Sequence, residues 1–234
     1  MPDVETLPEV TDSKRLGVSA TDAAAPVRKR PKPGERRIQI LQALAAMLEQ
    51  PGPERITTAA LAARLNVSEA ALYRHFASKA QMFEALIEFI EESVFTLVNQ
   101  MTGRATADAA NAPGDTPADA GQSVRLPAQV ISMLIQFAEK NPGMTRVMVG
   151  DALVFENERL QARMNQFFDK IESILKNSLR GVAASNSSGS PTVDAQVSAS
   201  VLTAFVVGRM QRFARSGFKR LPSEHLDACL ARML

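Results

Sequence analysis

Residues 77–101, ASKAQMFEALIEFIEESVFTLVNQM, leave the chain little choice of secondary structure. Apolar side chains recur at Phe83, Leu86, Ile87, Ile90, Val94 and Leu97, three or four residues apart, as along one face of a helix. A strand would need alternation with period two, which is missing here. Ser78 followed by Gln81 reads as a capping box that starts the helix. No other stretch alternates for long enough to make a strand, so the expected fold class is all-α.

The remaining segments extend that reading. ERRIQILQALAAMLEQPG (35–52) puts Ile38, Leu41, Leu44, Ala45 and Leu48 on one face and stops at Pro51-Gly52. TTAALAARLN (57–66) begins with a threonine N-cap and turns Leu61, Ala62 and Leu65 inward. In VSEAALYRHF (67–76), Ser68 can cap, while Leu72 and Phe76 point the same way. Later helices are expected near 123–140, 142–155, 156–180, 193–216 and 222–233. Two stretches built from small residues, Pro and Gly, 102–121 and 181–192, are expected to be loops. Residues 1–34 show no lasting apolar period and are expected to be a disordered tail.

Charge is distributed unevenly. Residues 28–79 hold ten basic and four acidic side chains, a net of +6, against a formal net charge of +2 for all 234 residues. A local excess of that size favours a polyanion as partner. The basic cluster RKRPKPGERR (28–37) could run along phosphates as a flexible arm or merely solubilise a tail. One cysteine, Cys229, excludes an internal disulfide framework, and two histidines leave no ligand set for a structural metal; no cofactor is expected. Phosphate-binding loops, nucleophile elbows and zinc-protease motifs are all missing, which argues against an enzyme. With no membrane span and no secretory signal in the sequence, the expected location is the cytoplasm.

Two short helices around an Asn66-Val67 turn, behind a longer apolar helix, make a helix-turn-helix pattern. Its second helix normally enters the DNA major groove, and its composition suits that place. Ala70 and Ala71 keep the outward face thin. Tyr73 offers a flat ring with a hydroxyl, Arg74 and Lys79 offer charge, and His75 offers a donor. Thr57 and Thr58 begin the preceding helix, where hydroxyl and N–H groups can hold a phosphate. Together with Ser68 these are the candidate DNA-binding residues. A competing reading half-buries Tyr73 and His75 and leaves Arg74 as a solvated charge.

Two late helices have features of a dimer interface. Leu160, Met164, Phe167, Ile171, Ile174 and Ser178 follow heptad-like spacing. Ala199, Ser200, Ala204 and Gly208 line one flank of the next helix. Two such helices per chain can form a four-helix bundle across a two-fold axis, or simply pack the monomer core.

The segment ITTAALAARLNVSEAALYRHFASKAQMFEALIEF (56–89) resembles the DNA-binding domain of TetR-family regulators. It carries a T-x-x-x-[IL]-A pattern from Thr57 to Ala62, and then Tyr73, His75, Phe76, Ser78 and Lys79 of Y-x-H-F-x-S-K. The resemblance implies an all-helical homodimer: a helix-turn-helix domain at 35–80 and a dimerisation and partner domain at 81–234, after the 1–34 tail. Further runs, including KNPGMTRVMVGDALVFENERLQARMNQFFDKIE (140–172) and RFARSGFKR (212–220), are similar to the family's nucleoid occlusion factors. Members of that branch bind chromosomal palindromes and antagonise the tubulin-like division protein FtsZ. The resemblance thus implies double-stranded DNA and FtsZ as partners and a nucleoid-associated location. It also implies FtsZ contact around Phe89, Met133, Lys140 and Asn141. Phe89 lies off the stripe led by Phe83, Leu86 and Ile90, so it is either exposed, a partner-site hint, or, as is more common, buried by a neighbouring helix. Leu97 stands where that branch leads one to expect an arginine. The alternative function is a ligand-responsive repressor, with Met133, Met144, Met148, Met164 and Phe168 lining a pocket in the C-terminal domain.

Overall fold

A computed structural model describes residues 34–50, 56–110, 120–154, 156–185 and 190–234. Within them the chain forms α1 (Glu35–Leu48), α2 (Thr58–Arg64), α3 (Glu69–Tyr73), α4 (Lys79–Ala110), α5 (Ala120–Lys140), α6 (Pro142–Met148), α7 (Glu158–Ser185), α8 (Pro191–Arg215) and α9 (Leu226–Met233). A single 3-10 turn at Asp151–Leu153 follows α6. No strand occurs among the described residues, as the periodicity requires.

Several boundaries differ from the sequence expectation. The segment expected to loop from 102 is helical to Ala110 and again from Ala120, with 111–119 outside the described residues. TGRATADAA is rich in alanine, the best helix former, and continues α4. The second expected loop shrinks in the same way, because α7 runs to Ser185 and α8 begins at Pro191. Conversely, the helix expected over 142–155 breaks after Met148, where Gly150 takes φ 83° in the left-handed region. The last helix starts at Leu226 rather than 222, after Arg209 has drawn the Pro222 and Glu224 carbonyls toward its guanidinium.

Three stripes rotate relative to expectation. In α1, Ile40 is buried and Ile38 is 56% exposed; in α4, Val98 is buried and Leu97 is 41% exposed. The α7 stripe likewise passes through Leu175 and Leu179, with Ile174 only half-buried and Ser178 at its edge.

One apolar core runs from Ile40 in α1 to Leu230 in α9. Phe95 and Phe167 join α4 to α7 with ring centroids 5.4 Å apart. Beside them Arg163 pairs with Glu91 at 2.6 Å, and that carboxylate holds the guanidinium pKa above its ordinary value. At the α1–α6 contact Gly143 has no room for a side chain: an added Cβ would overlap the Ala45 carbonyl oxygen and lie 2.9 Å from its carbon. Arg146 of α6 also donates to the Leu48 carbonyl at 3.3 Å, so α6 is clamped to the end of α1.

Candidate nucleic-acid interface

Local sequence builds the α2–α3 pair. The Thr57 hydroxyl accepts from Ala60 N at 3.1 Å and caps α2, and the Ser68 hydroxyl accepts from Ala71 N at 3.3 Å and caps α3. Between the helices Asn66 takes φ 52°, a left-handed conformation that asparagine tolerates better than most residues. Leu72 and Phe76 are each 1% exposed, and each anchor is worth about 1.5–3 kcal/mol of burial. They fix which face of α3 remains outside.

That outer face carries most of the candidate residues. Ala70, Arg74 and His75 are exposed, Tyr73 is 45% exposed, and Ala71 is half-buried. Thr57 is exposed next to half-buried Thr58 at the start of α2. The Thr58 hydroxyl donates to Glu69 Oε2 at 2.6 Å, and the Tyr73 hydroxyl lies 3.5 Å from Thr58 Oγ1. Thr58, Glu69 and Tyr73 therefore join the two helices on the solvent side. The surface is thin, mostly small or polar, and bounded by Arg74, which suits the close approach of a duplex.

Lys79 is half-buried at the start of α4. Its ammonium pairs with Glu156 in the segment leading to α7 and lies 5.5 Å from the Phe83 ring centroid. This pair joins the head to the rest of the molecule. Arg37 belongs to α1, where its guanidinium stacks 4.2 Å from the Phe76 ring centroid and donates to the His75 carbonyl at 3.0 Å. The arm reading survives only for 28–33, which lie outside the described residues.

Sequence reasoning missed Glu69 and Glu156. Glu69 follows the Ser68 cap, a position where an acid is commonplace and signals nothing further. Glu156 meets Lys79 across 77 residues, a contact that no local pattern encodes.

A second surface lies on α4 and α5. Phe89 is 48% exposed and shares the outer side of α4 with Leu97. On α5, Met133 is half-buried and Lys140 is exposed, while half-buried Asn141 donates to the Phe137 carbonyl at 2.8 Å. A cleft of about 950 Å³ is lined by Met101, Arg104, Leu126, Gln129, Met133 and others from α4, α5 and α9. Of the side chains expected to line a ligand pocket, Met148 and Met164 are buried in the core, and Met144 and Phe168 pack against it.

The third surface is on α8. Val193, Val197 and Val201 are each more than half exposed and four residues apart, and exposed Ser200 and Ala204 and half-buried Gly208 continue the face. Ala199, expected on this flank, is buried against the monomer instead.

Comparison with known proteins adds to this geometry. Residues 40–86 match the family described as "Bacterial regulatory proteins, tetR family", and 122–233 match "Tetracyclin repressor-like, C-terminal domain" of the SlmA-like type. The nucleoid occlusion factor SlmA of Photobacterium profundum is 47% identical over 197 residues, covering 84% of this chain and 92% of that protein. The nucleoid occlusion factor SlmA of Vibrio cholerae serotype O1 is 48% identical over 193 residues, 82% and 90% of the two chains. Among solved structures, FadR from Bacillus subtilis in complex with stearoyl-CoA aligns with a TM-score of 0.61 at 15% identity, covering 84% of this chain and 96% of that one. At that identity it shows the fold alone.

Proposed function

The chain belongs to the SlmA family of nucleoid occlusion factors, within the TetR class of regulators, and from that membership we propose that it inhibits division by antagonising FtsZ polymers while bound to chromosomal DNA. The observation that carries the DNA half is the exposed face of α3, with Tyr73, Arg74 and His75 outside and Leu72 and Phe76 buried beneath. We assign contact with DNA to Thr57, Thr58, Ser68, Ala70, Ala71, Tyr73, Arg74 and His75, and the helix-turn-helix domain to 35–80. Palindromic double-stranded sites suit a homodimer whose two heads are related by a two-fold axis. The exposed valine stripe of α8 supports such a dimer, since a stripe of that length is costly to leave in water.

FtsZ contact is assigned to the α4–α5 surface of the 81–234 domain, around Phe89, Met133, Lys140 and Asn141. The exposed ring of Phe89 supports it, because an aromatic outside the core is typical of a partner anchor. The activity is one of binding, without catalysis, in the cytoplasm at the nucleoid. The test is to mix the full chain, a duplex carrying its site, FtsZ and GTP, and to sediment the polymer. A fall in sedimented FtsZ that depends on the duplex is expected, and that fall is lost in Tyr73→Ala. Unchanged polymer, together with release of the duplex by a small molecule, would favour the ligand-responsive repressor.

A further inference from the structure

The end of α8 gathers cations that the reading above leaves without a role. Arg209, Arg212 and Arg220 line a cleft of about 360 Å³ with Leu221, Pro222, Glu224 and His225. Arg209 is committed, donating to the Pro222 carbonyl at 2.9 Å and to Cys229 Sγ at 3.1 Å. By contrast, the side chains of Arg212, Arg215, Lys219 and Arg220 make no hydrogen bond or ion pair among the described residues. Clustered cations raise one another's free energy unless an anion joins them. Glu224 is the one carboxylate lining the cleft, and it sits 3.9 Å from His225.

Connectivity places this cleft at the end of the core nearest the helix-turn-helix. The first turns of α7 are pinned to the first turns of α4 by Arg159–Glu84 and Arg163–Glu91, and α4 begins directly after α3. Helix α8 returns antiparallel to α7, with Gln196 donating to Glu172 at 2.6 Å. Its last turns therefore lie beside the start of α7. Helix α8 also touches α6, which is clamped to α1. Because the valine stripe leads through Ala204 and Gly208 toward Arg215, a dimer built on it draws both copies of the cleft toward the axis between the two heads.

We propose that this cleft is a second contact for DNA, gripping the phosphate backbone of the duplex held by α2 and α3. The inference rests on the DNA-binding reading above. Phosphate contacts carry no sequence information, so the cleft adds affinity and salt dependence without altering which site is chosen. Its positive charge and its place beside the heads favour a duplex over an acidic protein segment.

The test compares the full-length wild type with Arg212→Ala/Arg220→Ala, after sedimentation has confirmed that both are dimers. Binding to a specific and an unrelated duplex is measured across a salt series. The expected result is a slope of log affinity against log salt shallower by about two to four, and affinity lower by about tenfold or more on both duplexes alike. Arg212→Lys/Arg220→Lys is expected to restore the slope, which a merely structural role would not require. If the wild type binds and the double variant keeps its slope, the cleft is not a phosphate contact. An unchanged slope with a lost effect on FtsZ polymer makes it a protein-docking site and overturns the proposal. A wild type indifferent to every duplex overturns the DNA-binding reading itself, and this inference with it.

Discussion

The hydroxyl of Thr58 donates to the Glu69 carboxylate at 2.6 Å and ties the first turn of α2 to the first turn of α3 across the face expected to meet DNA. A charge-assisted bond of this kind, on an exposed surface, is worth about 1 kcal/mol. It acts on the relative setting of two helices that share only a few anchors. Thr58→Val is expected to lower affinity for a specific duplex by about tenfold while leaving binding to an unrelated duplex nearly unchanged. Fluorescence anisotropy on the two duplexes checks it. An equal loss on both would show that Thr58 acts through phosphate alone.

Gly143 faces the Ala45 carbonyl with no space for a methyl group, and the nearest obstacle is backbone, which cannot swing aside. Gly143→Ala is expected to destabilise the protein by about 1–3 kcal/mol by prising α6 from α1. Thermal unfolding followed by circular dichroism measures it, and an unchanged midpoint would show that the two helices slide apart freely.

Lys79, a candidate for DNA contact, pairs with Glu156, and we infer that it serves the fold. Lys79→Met is expected to lower the unfolding midpoint by a few degrees and to leave the salt slope of DNA binding as it was. A shallower slope would return Lys79 to the phosphate contacts.

The helix-turn-helix was legible because each of its decisions is local: Thr57 and Ser68 as caps, Asn66 at the turn, Leu72 and Phe76 four residues apart. The misplaced stripes of α1 and α4 show where local reading ends. From Leu44, a step of four back reaches Ile40, and from Leu41 a step of three reaches Ile38; both are isoleucine. From Val94, steps of three and four reach Leu97 and Val98, again both apolar. Periodicity cannot break such ties, and the neighbouring helices do. Glu91–Arg163 and Lys79–Glu156 were invisible for a related reason, since each joins residues more than seventy positions apart. The departure of Phe89 from the α4 stripe was legible, but the choice between exposure and burial under a neighbouring helix was not.

The valine stripe of α8 gives a test of assembly. Val197 is 56% exposed in the middle of it, so Val197→Arg leaves the monomer core intact while placing a charge where two copies would meet. Sedimentation is expected to show a shift from dimer to monomer. Affinity for a palindromic duplex is expected to drop by about a hundredfold or more as the two heads lose their linkage. A variant that stays dimeric would move the interface off this face.

Phe89 separates the two proposed partners most cleanly. It is 48% exposed on α4, away from the α2–α3 face, so removing the ring takes little from the core and nothing from the DNA contacts. Phe89→Ala is therefore expected to keep the unfolding midpoint within a degree or two and to keep the affinity for the specific duplex. A partner anchor of this size is worth about 2 kcal/mol or more when truncated, a loss of roughly thirtyfold in affinity. At concentrations where the wild-type chain and duplex reduce sedimented FtsZ, the variant is expected to leave the polymer intact. If FtsZ falls as before, the α4–α5 surface is not the anchor. If DNA binding falls as well, the ring serves the fold rather than the partner.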